Sequence, residues 1–250
     1  MKIDKSKKFT EFFDLVIPAR KIDFIVLHHI EASSAQSAID MLLESKVSSH
    51  FLIEESGNIF QLVEEGDVAY HAGVSYWRGF DGLNKNSIGI EFINSSAFDK
   101  KFEAAQMQAG LELIRYLMEK YNIDKVNIVG HSDIAYDRAT KLLDRKQDPS
   151  HFFDWKFLAQ NGVAICPEVS LEKDEELFKI GDKSAKIKSI KENLAKFGYM
   201  VLNFNDEFDQ EMQALARVFN RRFNQEKFKS DADVWCLSSD EILEKLASNS

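Results

Sequence analysis

Short apolar runs of strand length alternate with helical patterns along much of this chain. Residues 22–27 form a nearly continuous apolar run, which is typical of a buried strand in a sheet that is covered on both faces. Residues 47–53 and 59–63 flank a turn that contains a glycine, and they predict a β-hairpin. Further strands are predicted over 87–93 and 126–129. This alternation predicts an α/β domain with a mixed central β-sheet that is flanked by helices.

Helical periodicity is clearest over residues 102–121, where apolar side chains recur at the spacing of one helix face. A shorter helix is predicted over 33–45, because serines that can cap a helix precede its apolar positions. After Pro167, three helical patterns follow without a strand pattern of comparable strength between them. We therefore predict two domains, an α/β domain over 1–170 and a small all-α domain of three helices over 175–250.

The composition argues against several classes of protein. Of the 250 residues, 44% are hydrophobic, which is enough for a packed core. The net charge of −9 and the lack of a long basic run argue against a nucleic-acid-binding protein. No apolar run approaches the roughly 18–20 residues of a transmembrane helix, and the early lysines are not followed by the apolar stretch of a signal peptide. We therefore expect a soluble cytoplasmic protein, with a periplasmic or cell-envelope location as the alternative if a leader has been removed.

Two apolar runs end in a histidine, and a polar turn carries an aspartate. His28 follows Phe-Ile-Val-Leu, His131 follows Val-Asn-Ile-Val-Gly, and Asp148 lies in Arg-Lys-Gln-Asp-Pro. Two imidazoles and one carboxylate leave the fourth position of a tetrahedral zinc ion open, which is the arrangement of a hydrolytic site. A single histidine at the end of a buried strand is more often structural, and an aspartate before proline is often an ordinary turn residue. The prediction of a metal site therefore requires that the fold bring the three side chains together.

Several segments, taken in order, resemble a known enzyme family. They are Ile-Val-Leu-His at 25–28, Val-Ser-Ser-His-Phe-Leu-Ile at 47–53, Tyr-His-Ala-Gly-Val-Ser at 70–75, Leu-Asn at 83–84, Ser-Ile-Gly-Ile-Glu at 87–91, Gly-His-Ser-Asp-Ile-Ala at 130–135 and Arg-Lys-Gln-Asp-Pro at 145–149. Through these segments, residues 22–155 resemble the zinc-dependent N-acetylmuramoyl-L-alanine amidases of the AmpD and AmiD type, a group that includes the peptidoglycan-recognition proteins. One such segment would be a weak indication, whereas several in the same order are a strong one.

The resemblance implies that His28, His131 and Asp148 bind Zn²⁺. It also implies that Glu91 is the catalytic glutamate and that Lys146 stabilises the reacting oxygen. The chemistry of these side chains agrees, because a glutamate can orient a water and accept its proton, and a lysine can share the charge of an oxyanion. The plainer interpretations are a solvated strand end for Glu91 and a surface charge for Lys146.

A further set of residues is expected to contact the substrate, namely His29, His71, Gly73, Trp77 and Asn84. Because side chains alternate along a strand, His29 should point away from its neighbour His28, and it either lies beside the substrate or packs outward. The resemblance places His71 in a loop that borders the substrate groove. Trp77 either forms a wall of that groove or fills a hydrophobic gap.

Two residues near these expected contacts have predicted structural roles. Gly89 lies inside a predicted strand, which suggests that another group approaches the backbone closely there. His50 follows a pair of serines and is expected to pack inside the fold or behind the metal ligands.

The C-terminal part carries a second, less specific resemblance. Residues 187–219 resemble the three-helix peptidoglycan-binding module through Leu-Ala-Lys-Phe-Gly-Tyr at 194–199, Phe-Asp at 208–209 and Ala-Leu-Ala-Arg-Val-Phe-Asn at 214–220. The alternative is a domain that makes no sugar contact of its own, since a helical core needs the same apolar stripe.

The resemblance implies zinc-dependent hydrolysis of the amide bond between N-acetylmuramic acid, including its 1,6-anhydro form, and the L-alanine of the stem peptide. Such an activity serves bacterial cell-wall degradation or muropeptide recycling. The expected partners are muropeptides, anhydromuropeptides or polymeric peptidoglycan. Two alternatives stay open at this point, a receptor that binds muramyl peptides without cleaving them and a metallopeptidase that cuts within the stem peptide.

Overall fold

Strands and helices alternate through the part of the chain that the computed structural model describes, which is residues 1–15, 20–96, 98–137, 139–140, 143–169 and 174–248. The strands are β1 (Ile3–Asp4), β2 (Phe13–Asp14), β3 (Phe24–Ile30), β4 (Phe51–Ile53), β5 (Ile59–Gln61), β6 (Val68–Ala69), β7 (Tyr76–Trp77), β8 (Phe80–Asp81), β9 (Ser87–Ile93), β10 (Ile128–Gly130), β11 (Glu176–Phe178) and β12 (Trp235–Cys236). The α-helices are α1 (Ala35–Glu44), α2 (Ala104–Tyr121), α3 (His131–Ile134), α4 (Trp155–Gln160), α5 (Ala185–Phe197), α6 (Gln210–Phe223), α7 (Gln225–Asp231) and α8 (Leu237–Ser248). Among the described residues, none of these helices combines the length and the hydrophobicity that crossing a membrane requires.

Within the described residues, the largest sheet is mixed and six-stranded, with the strand order β1-β5-β4-β9-β3-β10. Its centre is parallel, because β9 pairs in parallel with β3 and β4, and β10 pairs in parallel with β3. Strands β4 and β5 pair antiparallel and form the predicted hairpin. The prediction of an α/β fold with a mixed central sheet is confirmed.

Helices cover both faces of this sheet. On one face, Leu52 and Phe60 join a buried apolar cluster to which α1 contributes Ile39. On the other face, α2 approaches so closely that a Cβ atom on Gly110 would lie 2.7 Å from the Phe92 ring. Because neighbouring residues of a strand point to opposite faces, the near-continuous apolar runs of the sequence follow from this double cover.

One predicted strand begins later than its apolar run. The strand expected over 126–129 starts at Ile128. The Val126 N–H donates to the Asp124 carboxylate at 3.0 Å, and this bond begins a short 3₁₀ turn. The first residues of the apolar run belong to this turn and not to the strand. Local capping by an aspartate therefore overrides the strand preference of Val126.

Packing divides the chain into two compact units. The first comprises Met1–Gly73, Gly82–His131 and Asp148–Ile165, and the second comprises Val74–Asp81, Ser132–Gln147 and Cys166–Ser250. Two internal segments thus pack with the C-terminal helices, although a single boundary in the sequence would assign them to the first part. The functional division into domains over 1–170 and 175–250 stays a prediction.

The second unit contains the expected helices and additional elements. Helices α5, α6 and α8 lie where the periodicity predicts them. The short helix α7 and the antiparallel pair of β11 and β12 are additional, so this unit differs from the expected all-α bundle of three helices. Strands of two and three residues are too short to produce a recognisable alternation in the sequence.

A buried ion pair lies inside the second unit. The Arg222 Nη1 atom is 2.6 Å from the Asp133 Oδ2 atom, and the two side chains are 1% and 0% exposed. The Tyr199 hydroxyl donates to the other oxygen of Asp133 at 3.0 Å. Burial raises the pKa of Tyr199 well above its ordinary value, so this hydroxyl keeps its proton and remains a donor. Both oxygens of the buried carboxylate therefore have a donor.

A second aspartate of the same segment binds the same helix. Asp144 accepts hydrogen bonds from Arg217 Nε at 2.9 Å and from Arg221 Nη1 at 2.7 Å. Arginines of α6 thus hold Asp133 and Asp144, which lie near the two ends of the segment Ser132–Gln147.

The Arg222→Met substitution should lower the free energy of unfolding by about 3–5 kcal/mol, because it leaves the Asp133 carboxylate buried without its charged partner. Urea denaturation measures the change. Lys188→Met is the control, since the exposed Lys188 and Glu192 pair at 3.9 Å within α5 should contribute only about 0.3–0.5 kcal/mol. Equal stabilities of the two variants would contradict this account of the ion pair.

Candidate metal centre

The sheet topology brings two distant histidines to the same edge of the sheet. His28 lies near the end of β3, and His131 follows β10 directly. These strands are parallel neighbours in which Gly130 pairs with Leu27, so each histidine is the residue that directly follows this pair in the sequence. Asp148 completes the group from a loop that belongs to the same compact unit.

The three side chains form a small triangle of donor atoms. The Nδ1 atoms of His28 and His131 are 3.1 Å apart, and the Asp148 Oδ2 atom lies 3.0 Å from the first and 3.1 Å from the second. Ligands at roughly 2.0–2.1 Å from a tetrahedral zinc ion would be about 3.3 Å apart. The fold therefore brings together the three predicted ligands, and this group can bind a metal ion.

The contact on the outer nitrogen of the His131 ring also supports a metal site. Its Nε2 atom is 3.2 Å from the carbonyl oxygen of Ala72. A carbonyl oxygen can only accept a hydrogen bond, so Nε2 carries the proton and the Nδ1 atom of a neutral His131 presents a lone pair to Asp148 and His28. The Nε2 atom of His28 likewise faces a ring nitrogen of His71, at 3.1 Å. Lone pairs that converge on a carboxylate in this way suit a divalent cation with nitrogen and oxygen ligands.

The electrostatics of Asp148 depend on the two imidazoles. Burial raises the pKa of Asp148, but the charge and the hydrogen bond of a protonated His131, together with those of His28, outweigh burial and hold this pKa well below its ordinary value. The carboxylate therefore stays ionised. A metal ion can use these imidazoles only where their Nδ1 atoms carry no proton, so its affinity should fall as the pH is lowered.

Glu91 lies on the same face of the sheet as His28. The two residues are register partners in the parallel strands β3 and β9, so their side chains point the same way from neighbouring strands. The Glu91 side chain is buried, with 7% of its surface exposed. This placement excludes the solvated strand end that was the plainer interpretation of Glu91.

Lys146 lies in the second compact unit, where its side chain is exposed and its backbone carbonyl oxygen is 3.5 Å from the Nη1 atom of Arg221. Its catalytic role stays a prediction.

His29 lies on the opposite face of the sheet from His28, as strand alternation predicts. Its ring contacts Phe98 and Phe102, with ring centroids 4.9 Å and 6.3 Å away, and its Nδ1 atom accepts a hydrogen bond from the Ser150 N–H. Burial lowers the pKa of His29, so the imidazole is neutral near neutral pH. These contacts correspond to the outward-packed alternative, and a substrate contact by His29 stays a prediction that they do not favour.

The other four residues that were expected to contact the substrate lie in different surroundings. His71 is buried behind His28, and the Asn84 side chain accepts hydrogen bonds from two backbone N–H groups beside it. Gly73 has a positive φ of 59°, which favours glycine. Trp77 is fully buried in the second unit, edge-on to Phe197, as expected for a side chain that fills a hydrophobic gap. Their roles toward a substrate stay predictions.

Gly89 provides space for the His71 ring. A Cβ atom on Gly89 would lie 2.5 Å from the Cγ atom of His71, which confirms the predicted close approach. The Gly89 N–H donates to the Nδ1 atom of His50 at 3.0 Å. His50 is buried, as predicted, and burial lowers its pKa to about 3, with a further contribution from Arg20, so the ring is neutral.

Sequence reasoning missed the residues that support this cluster. Arg20 donates to the backbone carbonyls of Asn84, Ser87 and Glu65 at 3.3, 2.8 and 3.0 Å, and burial lowers its pKa to about 10. Nothing in the local sequence marks an isolated arginine for this task, because its partners are backbone atoms that carry no residue identity. Ala72 was missed for the same reason, since it acts through its carbonyl oxygen.

Comparisons with known proteins identify relatives of this chain. Residues 18–151 match the family model described as N-acetylmuramoyl-L-alanine amidase. The amidase AmiD of Escherichia coli is 31% identical over 228 residues, which are 86% of this chain and 79% of AmiD. The 1,6-anhydro-N-acetylmuramyl-L-alanine amidase AmpD of Haemophilus influenzae is 40% identical over 116 residues, which are 46% of this chain and 58% of AmpD.

A solved structure extends the similarity to nearly the whole fold. The complex of E. coli AmiD with the substrate anhydro-N-acetylmuramic acid-L-Ala-D-gamma-Glu-L-Lys has a TM-score of 0.74 and 28% sequence identity, and the match covers 94% of this chain and 92% of AmiD.

The His28→Ala substitution should abolish stoichiometric metal binding, because it removes one donor of the triangle. The loss of affinity should exceed the roughly 10–100-fold that follows loss of a group behind a ligand. Elemental analysis and competition with a chromophoric chelator measure it. The His29→Ala variant is the matched control, since the adjacent imidazole points to the opposite face and should leave the metal content unchanged. The reverse result would assign the ligand to His29.

The Gly89→Ala substitution should lower the free energy of unfolding by about 1–3 kcal/mol, because the new methyl group overlaps the His71 ring. Thermal and urea denaturation measure the effect. Gly66→Ala is the control, since a Cβ atom there has no neighbour within 4 Å among the described residues. A Gly89→Ala variant as stable as Gly66→Ala would show that the His71 ring can move aside without cost.

Proposed function

This chain belongs to the N-acetylmuramoyl-L-alanine amidase family, and from that premise we propose that it uses a zinc ion held by His28, His131 and Asp148 to hydrolyse the amide bond between N-acetylmuramic acid and L-alanine. The observation that carries the proposal is the triangle of donor atoms, 3.0–3.1 Å on each side, on the same face of the sheet as the buried Glu91. This arrangement supplies two imidazoles, one carboxylate and a separate acid–base group, which metal-assisted hydrolysis of an amide requires.

The proposed substrates are muropeptides, including those with a 1,6-anhydro sugar. Two solved relatives support this class, E. coli AmiD with an anhydromuramyl tripeptide and AmpDh3 of Pseudomonas aeruginosa, which was crystallised with an anhydromuramic pentapeptide. AmpDh3 is 25% identical in sequence with a TM-score of 0.71, and the match covers 100% of this chain and 98% of that chain. We also propose that residues 1–170 carry catalysis and that residues 175–250 act as the peptidoglycan-binding part, so polymeric peptidoglycan is a second substrate form.

A zinc ion bound at this centre would polarise the amide carbonyl and lower the pKa of a coordinated water to near 7. Glu91 is placed to accept the proton of the attacking water, because its carboxylate lies on the His28 face of the neighbouring strand. It would then return that proton to the nitrogen of L-alanine as the amide bond breaks. The Lys146 ammonium would share the negative charge that develops on the carbonyl oxygen.

Mass spectrometry of the zinc-loaded protein incubated with an anhydromuropeptide tests this function. Release of the intact stem peptide together with anhydro-N-acetylmuramic acid is the expected result. Unchanged substrate would indicate a receptor that only binds muramyl peptides, and a shortened stem that is still attached to the sugar would indicate a peptidase. A parallel incubation with polymeric peptidoglycan determines whether the same bond is cut in the intact wall.

The Glu91→Gln substitution should lower kcat by roughly 10²–10⁴-fold, because the amide side chain cannot accept the proton of the attacking water. Zinc content should stay at the level of the unsubstituted protein, since Glu91 lies outside the donor triangle. Steady-state kinetics and elemental analysis give the two readouts. Glu119→Gln, an exposed position of α2, is the control and should change neither. A Glu91→Gln enzyme with near-normal turnover would remove Glu91 from the proposed role.

A further inference from the structure

Behind His28, a series of hydrogen bonds leads away from the predicted metal centre through His71 and Ser87 to Leu83. We call this series the relay. The His28 Nε2 atom lies 3.1 Å from His71 Nδ1, and the His71 Nε2 atom lies 3.2 Å from the Ser87 hydroxyl. The Ser87 hydroxyl in turn lies 2.6 Å from the carbonyl oxygen of Leu83. His28, His71 and Ser87 are 2%, 8% and 0% exposed. The relay therefore ends at a backbone oxygen atom inside the protein.

The last bond of the relay fixes the direction of all the others. The Leu83 carbonyl has no proton to give, so Ser87 must donate to it. The Ser87 oxygen can then only accept from His71, which places a proton on His71 Nε2. A neutral His71 consequently has a bare Nδ1 atom, and that atom accepts a proton from His28 Nε2. The Nδ1 atom of His28 is left with its lone pair toward His131 and Asp148.

The residues around His71 hold its ring in the position that these hydrogen bonds require. The absence of a side chain on Gly89 leaves room for the His71 ring, since a Cβ atom would lie 2.5 Å from it. The His71 ring stands edge-on to the ring of His28, with an interplanar angle of 89°. The backbone N–H groups of His71 and Ala72 both donate to Asn84 Oδ1, at 3.1 and 2.7 Å.

The consecutive residues His71 and Ala72 contact the Nε2 atoms of His28 and His131. His71 contacts the Nε2 atom of His28 through its side chain, and Ala72 contacts the Nε2 atom of His131 through its carbonyl oxygen. Asn84 holds the two residues through a single oxygen atom. His71 and Asn84 therefore occupy positions from which they support the predicted metal ligands on the Nε2 side of the two rings, which faces away from the donor triangle.

We propose that His71, Ser87 and Asn84 are positioning residues that keep the proton of His28 on Nε2 and so present its Nδ1 atom to the metal ion. This inference rests on the metal centre of the proposed function and assigns to His71 and Asn84 a task other than contact with the substrate. Groups that hold the distal N–H of a metal-binding histidine typically contribute a factor of roughly 10–100 to metal affinity.

The test uses the Ser87→Ala variant of the full chain, with Ser49→Ala as the matched control. Ser49 is also fully buried, and the described residues offer its hydroxyl no hydrogen-bond partner. Removing the Ser87 hydroxyl frees the proton on His71 Nε2 to move to Nδ1, where it would oppose the proton of His28. Zinc affinity is measured by competition with a chromophoric chelator, and the protonated ring nitrogen of His28 is identified by ¹⁵N NMR of the histidine side chains.

The expected result is a zinc Kd that rises by roughly 10–100-fold in Ser87→Ala and stays unchanged in Ser49→Ala, with a shift of the His28 proton away from Nε2 only in the former. Turnover of Ser87→Ala should recover when zinc is raised to saturation, which a general loss of structure would not allow. His71→Leu provides a second variant with the same expected loss of affinity.

Each other outcome overturns a specific step. If the unsubstituted protein binds zinc and cleaves the substrate while Ser87→Ala and His71→Leu bind zinc equally tightly, the relay is wrong and the proposed function stands. If the His28 proton stays on Nε2 in Ser87→Ala, the relay does not set the tautomer. If the unsubstituted protein binds no zinc, the metal centre and the relay are both refuted.

Discussion

Three electron-rich atoms that lie within 3.1 Å of one another repel unless a cation or protons lie between them. This is the interaction on which the proposed chemistry of the protein depends. The Ala72 carbonyl keeps a proton on the outer nitrogen of His131, so a neutral His131 offers only a lone pair to the centre. The fold thus brings together a group of atoms that positive charge stabilises, and a divalent metal ion could supply that charge without blocking the lone pairs.

The parallel centre of the sheet makes this convergence possible. Strands β3, β9 and β10 run in one direction, so the residues at corresponding points of neighbouring strands lie side by side on one face. His28 and Glu91 lie on strands that are far apart in sequence and adjacent in space, and His131 directly follows the neighbouring strand β10. Strand alternation also explains why His29, although next to a ligand in sequence, packs among aromatic side chains on the opposite face.

Sequence reasoning could predict what depends on residue identity and spacing. The apolar runs predicted the strands, the histidines at their ends predicted two of the side chains that converge with Asp148, and Gly89 predicted a close approach. Contacts made through backbone atoms could not be predicted, because any residue can supply a carbonyl oxygen. The support of His131 by Ala72 and the loop carbonyls bound by Arg20 belong to this class. The antiparallel pair of β11 and β12 was missed because each strand is too short to show a period.

The C-terminal helices pack with an internal segment of the chain that precedes them in sequence. The segment Ser132–Gln147 lies in sequence directly between His131 and Asp148, and it packs in the second compact unit, where Asp133 and Asp144 bind arginines of α6. Peptide bonds join the ends of this segment to His131 and to Asp148, two of the predicted ligands. A detachable binding module would leave that segment to the first unit. The boundary between the compact units therefore differs from a single boundary near residue 170, because this internal segment packs with the C-terminal helices.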